Sequence, residues 1–313
     1  MVLVNKPAGM TSHQMVAKLR RDLGTRKIGH AGTLDPSATG VLLLGVGRGT
    51  KLLTYCVGLD KTYTATLRLG ATTRTDDADS PPENRASQES IAAVTDAHIY
   101  AQAEAMTGSI DQVPSQVSAV KVDGKRAYAR VRAGEDVKLS SRKVQIYAFD
   151  INHIDRAADH IDLQVRVSCS TGTYIRALAR DLGHALGIGG HVHTLCRTRL
   201  GPWKLESADT MLSLYEVATA VAASIPVTDD EAVRLWQGQI IHTSASLTPA
   251  TDNSREARSK GIVGAQQPGL AGHIAAVHGA TVIGMVEKLP QSVAKHAQSA
   301  AYKMVTGISR GEE

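Results

Sequence analysis

Twelve consecutive residues, Gly29-His30-Ala31-Gly32-Thr33-Leu34-Asp35-Pro36-Ser37-Ala38-Thr39-Gly40, constrain this chain more than any other stretch. The glycines at 29, 32 and 40 permit positive φ or close approach of another backbone. Pro36 fixes its own φ and lacks a donor. It also biases the residue before it, Asp35, toward an extended backbone. The apolar run Val41-Leu42-Leu43-Leu44 follows directly and has the length of a buried strand. Spacing alone supports two readings: an ordinary Asp-Pro turn, or a carboxylate held on a stiff loop at the mouth of a cleft.

The chain has 313 residues, enough for one large domain or two smaller ones. With 42% hydrophobic and 21% charged residues it has the composition of an ordinary globular protein. No apolar run approaches the length of a membrane span. The opening Met1-Val2-Leu3-Val4-Asn5-Lys6-Pro7 is too short in apolar residues for a signal peptide. Cys56, Cys169 and Cys196 are too few and too scattered for a disulfide framework or a four-ligand zinc site, so a reducing cytoplasm is expected. The formal net charge of +5 is unevenly placed. Residues 1–60 carry eight Lys/Arg against three Asp/Glu, and residues 121–145 again carry eight against three. That pattern suggests a footprint for a polyanion, or else a solvated face. Aromatic residues are 4% of the chain, with Phe149 the single Phe, which excludes a broad base-stacking platform.

Periodicity and turn residues place the elements. Val2–Val4 reads as a strand. A helix is expected from an N-cap at Ser12 to about Leu23, with Gly24 beyond it. Gly45–Lys51 reads as a turn and helix entry; it matches neither phosphate-loop pattern. Lys61–Leu69 alternates as a strand. Arg74-Thr75-Asp76-Asp77-Ala78-Asp79 is an acidic loop without the glycine and distal Glu of a calcium loop. Residues 89–106 read as one helix. Then come a strand over Val117–Val122, a basic turn at Gly124-Lys125-Arg126 and a short helix over Tyr128–Arg132. Lys143–Ile154 and His160–Ser168 form a hairpin. Thr173 is a candidate N-cap for a helix to Gly183, which puts the cation of Arg176 in the first turn, against the dipole. A residue placed against local preference points to function. His191-Val192-His193-Thr194-Leu195-Cys196 alternates like a strand and has no fourth metal ligand nearby. Met211–Ala223 is an amphipathic helix, and a boundary falls near 225. The remainder is less basic, with a loop at about 243–261 and strands over Gly272–Val277 and Thr281–Val286.

Two of the usual catalytic sets are absent: there is no Cys-His signature and no H-E-x-x-H. Asp35 on its loop, Tyr63 on a strand, Arg176 at a helix start and basic surface remain. A carboxylate can act as nucleophile at a glycosidic carbon. An arginine keeps it ionised where water is scarce, and a phenol stacks on a base. The set fits glycosidic-bond chemistry on a nucleotide flipped out of a polyanion. A non-catalytic RNA-binding module, for which Asp35 is dispensable, stays open.

Five motifs in order add a resemblance. Lys6-Pro7-x-Gly9-Met10-Thr11-Ser12, the Gly29–Gly40 stretch, Lys61-x-Tyr63, Arg74-Thr75-Asp76 with Asp79, and Gly172-Thr173-Tyr174-Ile175-Arg176 resemble the bacterial TruB family of tRNA pseudouridine synthases over about residues 1–205. The resemblance implies an α+β fold with a mixed, mainly antiparallel central sheet and flanking helices over residues 1–224. It also implies an RNA-binding thumb at about 115–145 and a small β-rich, PUA-like RNA-binding domain over 225–313. It implies isomerisation of uridine 55 in the tRNA T loop by a monomeric cytoplasmic enzyme without cofactor or metal. By the same resemblance Asp35 would be the nucleophile, through attack on C1′ or another intermediate. Tyr63 would stack on the flipped uracil and assist removal of the C5 proton, and Arg176 would pair with Asp35. His30 would fill the space the base leaves. Lys6, Gly32, Thr33, Leu34, Tyr174, Lys121 and Arg197 would hold the substrate, with Lys6-Pro7 and Ser118–Lys121 shaping the cleft. Cys196 stands where many members carry arginine.

Overall fold

In the computed structural model the described residues are 1–115, 139–251, 272–293 and 299–308, with the backbone of 121–122 and 125–126. Val41, Leu42, Leu43 and Leu44 are fully buried. They lie in a strand, β3 (Thr39–Val46), that follows β1 (Val2–Lys6), α1 (Ser12–Asp22) and β2 (Ile28–Ala31). Side chains alternate across a strand, so Leu42 and Leu44 enter one core and Val41 and Leu43 another. A strand covered on both faces reads as a continuous apolar run, which is what the sequence shows.

Beyond it come α2 (Leu53–Val57), β4 (Lys61–Leu69), α3 (Gln88–Ala93), α4 (Asp96–Ala105) and β5 (Gly108–Gln112). Then follow β6 (Arg142–Arg156), β7 (Ile161–Cys169), α5 (Ile175–Ala185), β8 (Gly190–Leu200), β9 (Thr210–Met211) and α6 (Leu214–Val221). The strand order in this sheet is β9-β1-β3-β8-β4-β7-β6-β5, with β2 added on β3. Every pairing along it is antiparallel except a short parallel bridge, Cys196↔Thr39 and Arg197↔Gly40, between β8 and β3. That bridge carries the loop of Asp35 to the middle of the sheet.

A second sheet is built from β10 (Ser224–Pro226), β11 (Ile241–Thr243), β12 (His273–His278), β13 (Thr281–Lys288) and β14 (Ala300–Gly307), in the order β10-β12-β13-β14-β11. The helix α7 (Asp229–Trp236) follows its first strand. Ala275, Val277, Val282 and Met285 of this sheet share an apolar cluster with Leu3, Val41, Leu43 and Val217 of the first part. Tyr55 and Thr306 hydroxyls bond across the same junction at 3.3 Å. No described helix is long and apolar enough to cross a membrane.

Several boundaries differ from expectation for local reasons. Residues 28–31 are strand rather than loop, because His30 and Ala31 pair with Leu44 and Leu43. The helix expected over 89–106 is two helices. Val94 is extended, and Thr95 caps the second by accepting from the His98 N–H. Thr11, not Ser12, caps α1 in a reciprocal box with Gln14. The N-cap of α5 is Tyr174, because the Thr173 hydroxyl donates to the Ser170 carbonyl instead. Ser213 caps α6, and Thr210 and Met211 extend the sheet edge beside β1. The strand at 117–120, the short helix at 128–132 and the greater part of the 243–261 loop lie outside the described residues.

Candidate active site

The loop at 32–38 is tied down from three sides. The Ser12 hydroxyl, freed from capping, accepts the Leu34 N–H at 2.9 Å and donates to the Leu34 carbonyl at 3.2 Å. The Lys6 ammonium, with no exposed surface, donates to the carbonyls of Pro7, Met10 and Pro36. Gly40, at φ +103°, lies so close to β8 that a Cβ would sit 2.2 Å from the Arg197 carbonyl oxygen. Inside these restraints the Ala38 N–H reaches the Asp35 carbonyl at 3.2 Å and closes a turn with Pro36 inside it. The Asp-Pro turn and the presented carboxylate are therefore the same residue seen from two atoms.

The Asp35 carboxylate meets Arg176 twice: Nε to Oδ2 at 3.0 Å and Nη2 to Oδ1 at 3.3 Å. This fork geometry fixes direction as well as charge. Arg176 is 5% exposed in its side chain against 36% for Asp35, so the cation is buried and the anion faces the opening. The remaining guanidinium nitrogen donates to the Thr75 carbonyl at 2.9 Å and lies 3.2 Å from the Asp77 carboxylate. Asp77 is itself held by the Thr75 hydroxyl and the Asp79 N–H. Burial raises the pKa of Asp35; Arg176 opposes that, and the charges of Asp77 and Asp79 add to it.

A cavity of about 290 Å³ opens beside this pair, lined by Gly32, Thr33, Leu34 and Asp35 on one side and by Lys61, Tyr63, Tyr174 and Arg197 among others. Burial pushes the Tyr63 phenol up to about 12, against the lowering effect of Arg197. Lys61 is pushed down to about 8, chiefly by burial and then by the cation of Arg197. Its ammonium donates to the Val57 and Leu59 carbonyls. Among the described residues no group of His, Cys, Asp and Glu is arranged to hold a metal ion.

Residues 20–175 match the N-terminal domain of TruB family pseudouridylate synthases, and residues 176–235 match the tRNA pseudouridylate synthase B C-terminal domain. A tRNA pseudouridine synthase B of Arthrobacter sp. (strain FB24) is 53% identical over 256 residues, 78% of this chain and 83% of that protein. One of Thermobifida fusca (strain YX) is 46% identical over 284 residues, 85% of this chain and 96% of that protein. This chain belongs to the TruB family of pseudouridine synthases. The fold agrees with a chain in the crystal structure of a Cbf5-Nop10-Gar1 complex, with a TM-score of 0.68 at 21% identity over 98% of this chain and 84% of that one.

In this TruB-family chain the fold gathers Asp35, Tyr63 and Arg176 from a loop, β4 and α5 around one cavity, with Gly32, Thr33, Leu34, Tyr174 and Arg197 in its wall. Three expected residues stand elsewhere. Lys6 lies beneath the loop with its ammonium on three carbonyls, so it supports the loop. His30 is on β2, packed edge-on to His13 with ring centroids 5.3 Å apart, and does not line the cavity. Lys121 pairs through its backbone with Arg126, and its side chain lies outside the described residues, as do Ser118, Ala119 and Val120. Two further residues belong to the site. Asp77 has a signal in the sequence, three carboxylates within four positions, but nothing local ties it to Arg176. Lys61 stands in the Lys61-x-Tyr63 motif, and only its burial in the cavity wall gives it a role there.

Proposed function

We propose that this chain converts uridine 55 in the T loop of tRNA to pseudouridine, with Asp35 as the nucleophile. Conversion of uridine to pseudouridine in tRNA is the activity of the TruB-family enzymes it matches by name. The position in the RNA and the residue roles are what is proposed. The observation that carries the roles is the two-point Asp35–Arg176 pair at the mouth of a cavity walled by Tyr63. Isomerisation breaks the bond from uracil N1 to ribose C1′ and makes one from C5 to C1′; C5 loses a proton and N1 gains one. A carboxylate kept ionised by Arg176 can form the covalent adduct that holds the sugar while the base turns. Tyr63, whose phenol pKa burial raises, is proposed to stack on the flipped uracil and to assist removal of the C5 proton.

The basic segments at 1–60 and 121–145 supply sequence-independent attraction for the RNA backbone. The second sheet, with residues 225–313, is proposed as an RNA-binding appendage. The enzyme is proposed to act as a cytoplasmic monomer on the T arm, with no metal or cofactor. The test is Asp35→Asn, with pseudouridines mapped in tRNA after incubation with the purified chain. A single product at position 55 that vanishes in the variant is expected; product formed by the Asn variant sinks the nucleophile assignment.

A further inference from the structure

We propose that Gln112 is a positioning residue for Arg176 and acts through Tyr174. The inference rests on the roles of Asp35 and Arg176 proposed above. Gln112 ends β5, and it is 1% exposed. Its carboxamide meets a single residue at both ends. Oε1 accepts the Tyr174 N–H at 2.8 Å, and Nε2 donates to the Tyr174 carbonyl at 3.1 Å. A primary amide docked on both polar groups of one residue behaves like a strand partner and fixes that peptide in place.

Tyr174 is the N-cap of α5, two positions before Arg176, and no side chain caps that helix. The Thr173 hydroxyl is turned to the Ser170 carbonyl. Gln112 thus supplies from another strand the restraint that a capping side chain gives elsewhere. Arg142, the ladder partner of Gln112 on β6, places its guanidinium 5.7 Å from the centre of the Tyr174 ring. One turn further along α5, Arg180 donates to the Val113 carbonyl at 2.8 Å. The two strand ends at 112 and 142 therefore grip the start of the helix that carries Arg176. Gln112 does not line the cavity, so it touches no reacting atom. A two-point pair to Asp35 tolerates little displacement of the helix end.

The test compares Gln112→Met, which keeps length and removes both bonds, with the wild-type chain. The single-turnover rate is expected to fall about tenfold or more while the Kd for tRNA stays within about twofold. In an Arg176→Lys background the same change costs little more, because both act through one interaction. A second variant, Gln112→Glu, gives a pH readout. The protonated acid offers one donor and one acceptor as the amide does, and the carboxylate offers acceptors only. Its rate relative to wild type, at matched pH, is expected to rise as pH falls. A full rate in Gln112→Met, a loss confined to Kd, or an additive loss in the Arg176→Lys background overturns the inference. If the Met variant fails to fold, a flat ratio for Gln112→Glu does so. Arg176→Lys at the wild-type rate sinks the underlying roles as well; a slow Arg176→Lys beside a fast Gln112→Met sinks this inference alone.

Discussion

At the residue scale, Asp35 answers a structural and a chemical demand with different atoms: its carbonyl closes the turn and its carboxylate meets Arg176. Because burial raises its pKa, protonation on acidification sets in at a higher pH than for an ordinary carboxylate. The acid limb of the pH–rate profile for kcat/KM is therefore expected above the usual carboxylate range. A limb at the usual range would show that Arg176 outweighs burial. Lys61 gives a stability signature. Its folded pKa of about 8 lies below the ordinary 10.5 that a lysine keeps in the unfolded chain. Between those values the unfolded chain holds a proton that the folded one has released, so stability rises with pH across that window. Urea unfolding at pH 8 and pH 10 should show this rise in the wild type and a flatter response in Lys61→Met. The thiols of Cys56 and Cys169 are buried and pushed up to about 12, while Cys196 is part-exposed. A thiol reagent should label one site per folded chain, at Cys196, and three after denaturation.

At the element scale, the loop at 32–38 is positioned by elements distant in sequence, and its variants should show it. Ser12→Ala leaves the Leu34 N–H and carbonyl without partners in a buried setting, expected to cost ~1–3 kcal/mol for each orphaned group. Its rate of pseudouridine formation should fall further than the small loss of folded protein explains; thermal melts beside single-turnover rates separate the two. Gly40→Ala drives a Cβ into the Arg197 backbone and breaks the parallel bridge, so it is expected to prevent stable folding, read as loss of the cooperative melt. The strand over Lys61–Leu69 and the β6–β7 hairpin were legible from alternation and β3 from its continuous apolar run, whereas β2, β5 and β9 left no such pattern. The caps were less so. Thr11 and Ser12 are both good cap residues, and only the packing of Leu34 against α1 assigns one to the helix and the other to the loop.

At the scale of the whole molecule, the two sheets are joined by an apolar cluster rather than by a linker. A chain ending at Ala223 would expose Val217, Leu43 and their neighbours to water, and it is expected to bind a hydrophobic dye and melt at a lower temperature than the full chain. The charge excess at 121–145 predicts that replacing Lys125 and Arg126 with alanine weakens tRNA binding. It also predicts a shallower salt dependence, by about 0.7–0.9 in logarithmic slope for each phosphate left without its cation. An unchanged slope would place both side chains in solvent.

The sequence by itself determined the apolar strand, the Gly- and Pro-bound carboxylate and the motifs that mark the family. These are local properties, set by backbone preference, period and residue chemistry within a dozen positions. Only the tertiary structure decided that Asp35, Tyr63 and Arg176 share a cavity, that Lys6 lies beneath the loop and His30 off the cavity wall, and that Asp77 and Gln112 hold the arginine's surroundings. Those partnerships join residues up to 141 positions apart, as in Arg176 with Asp35. They arise from which strand lies beside which, and local preference carries no trace of that order.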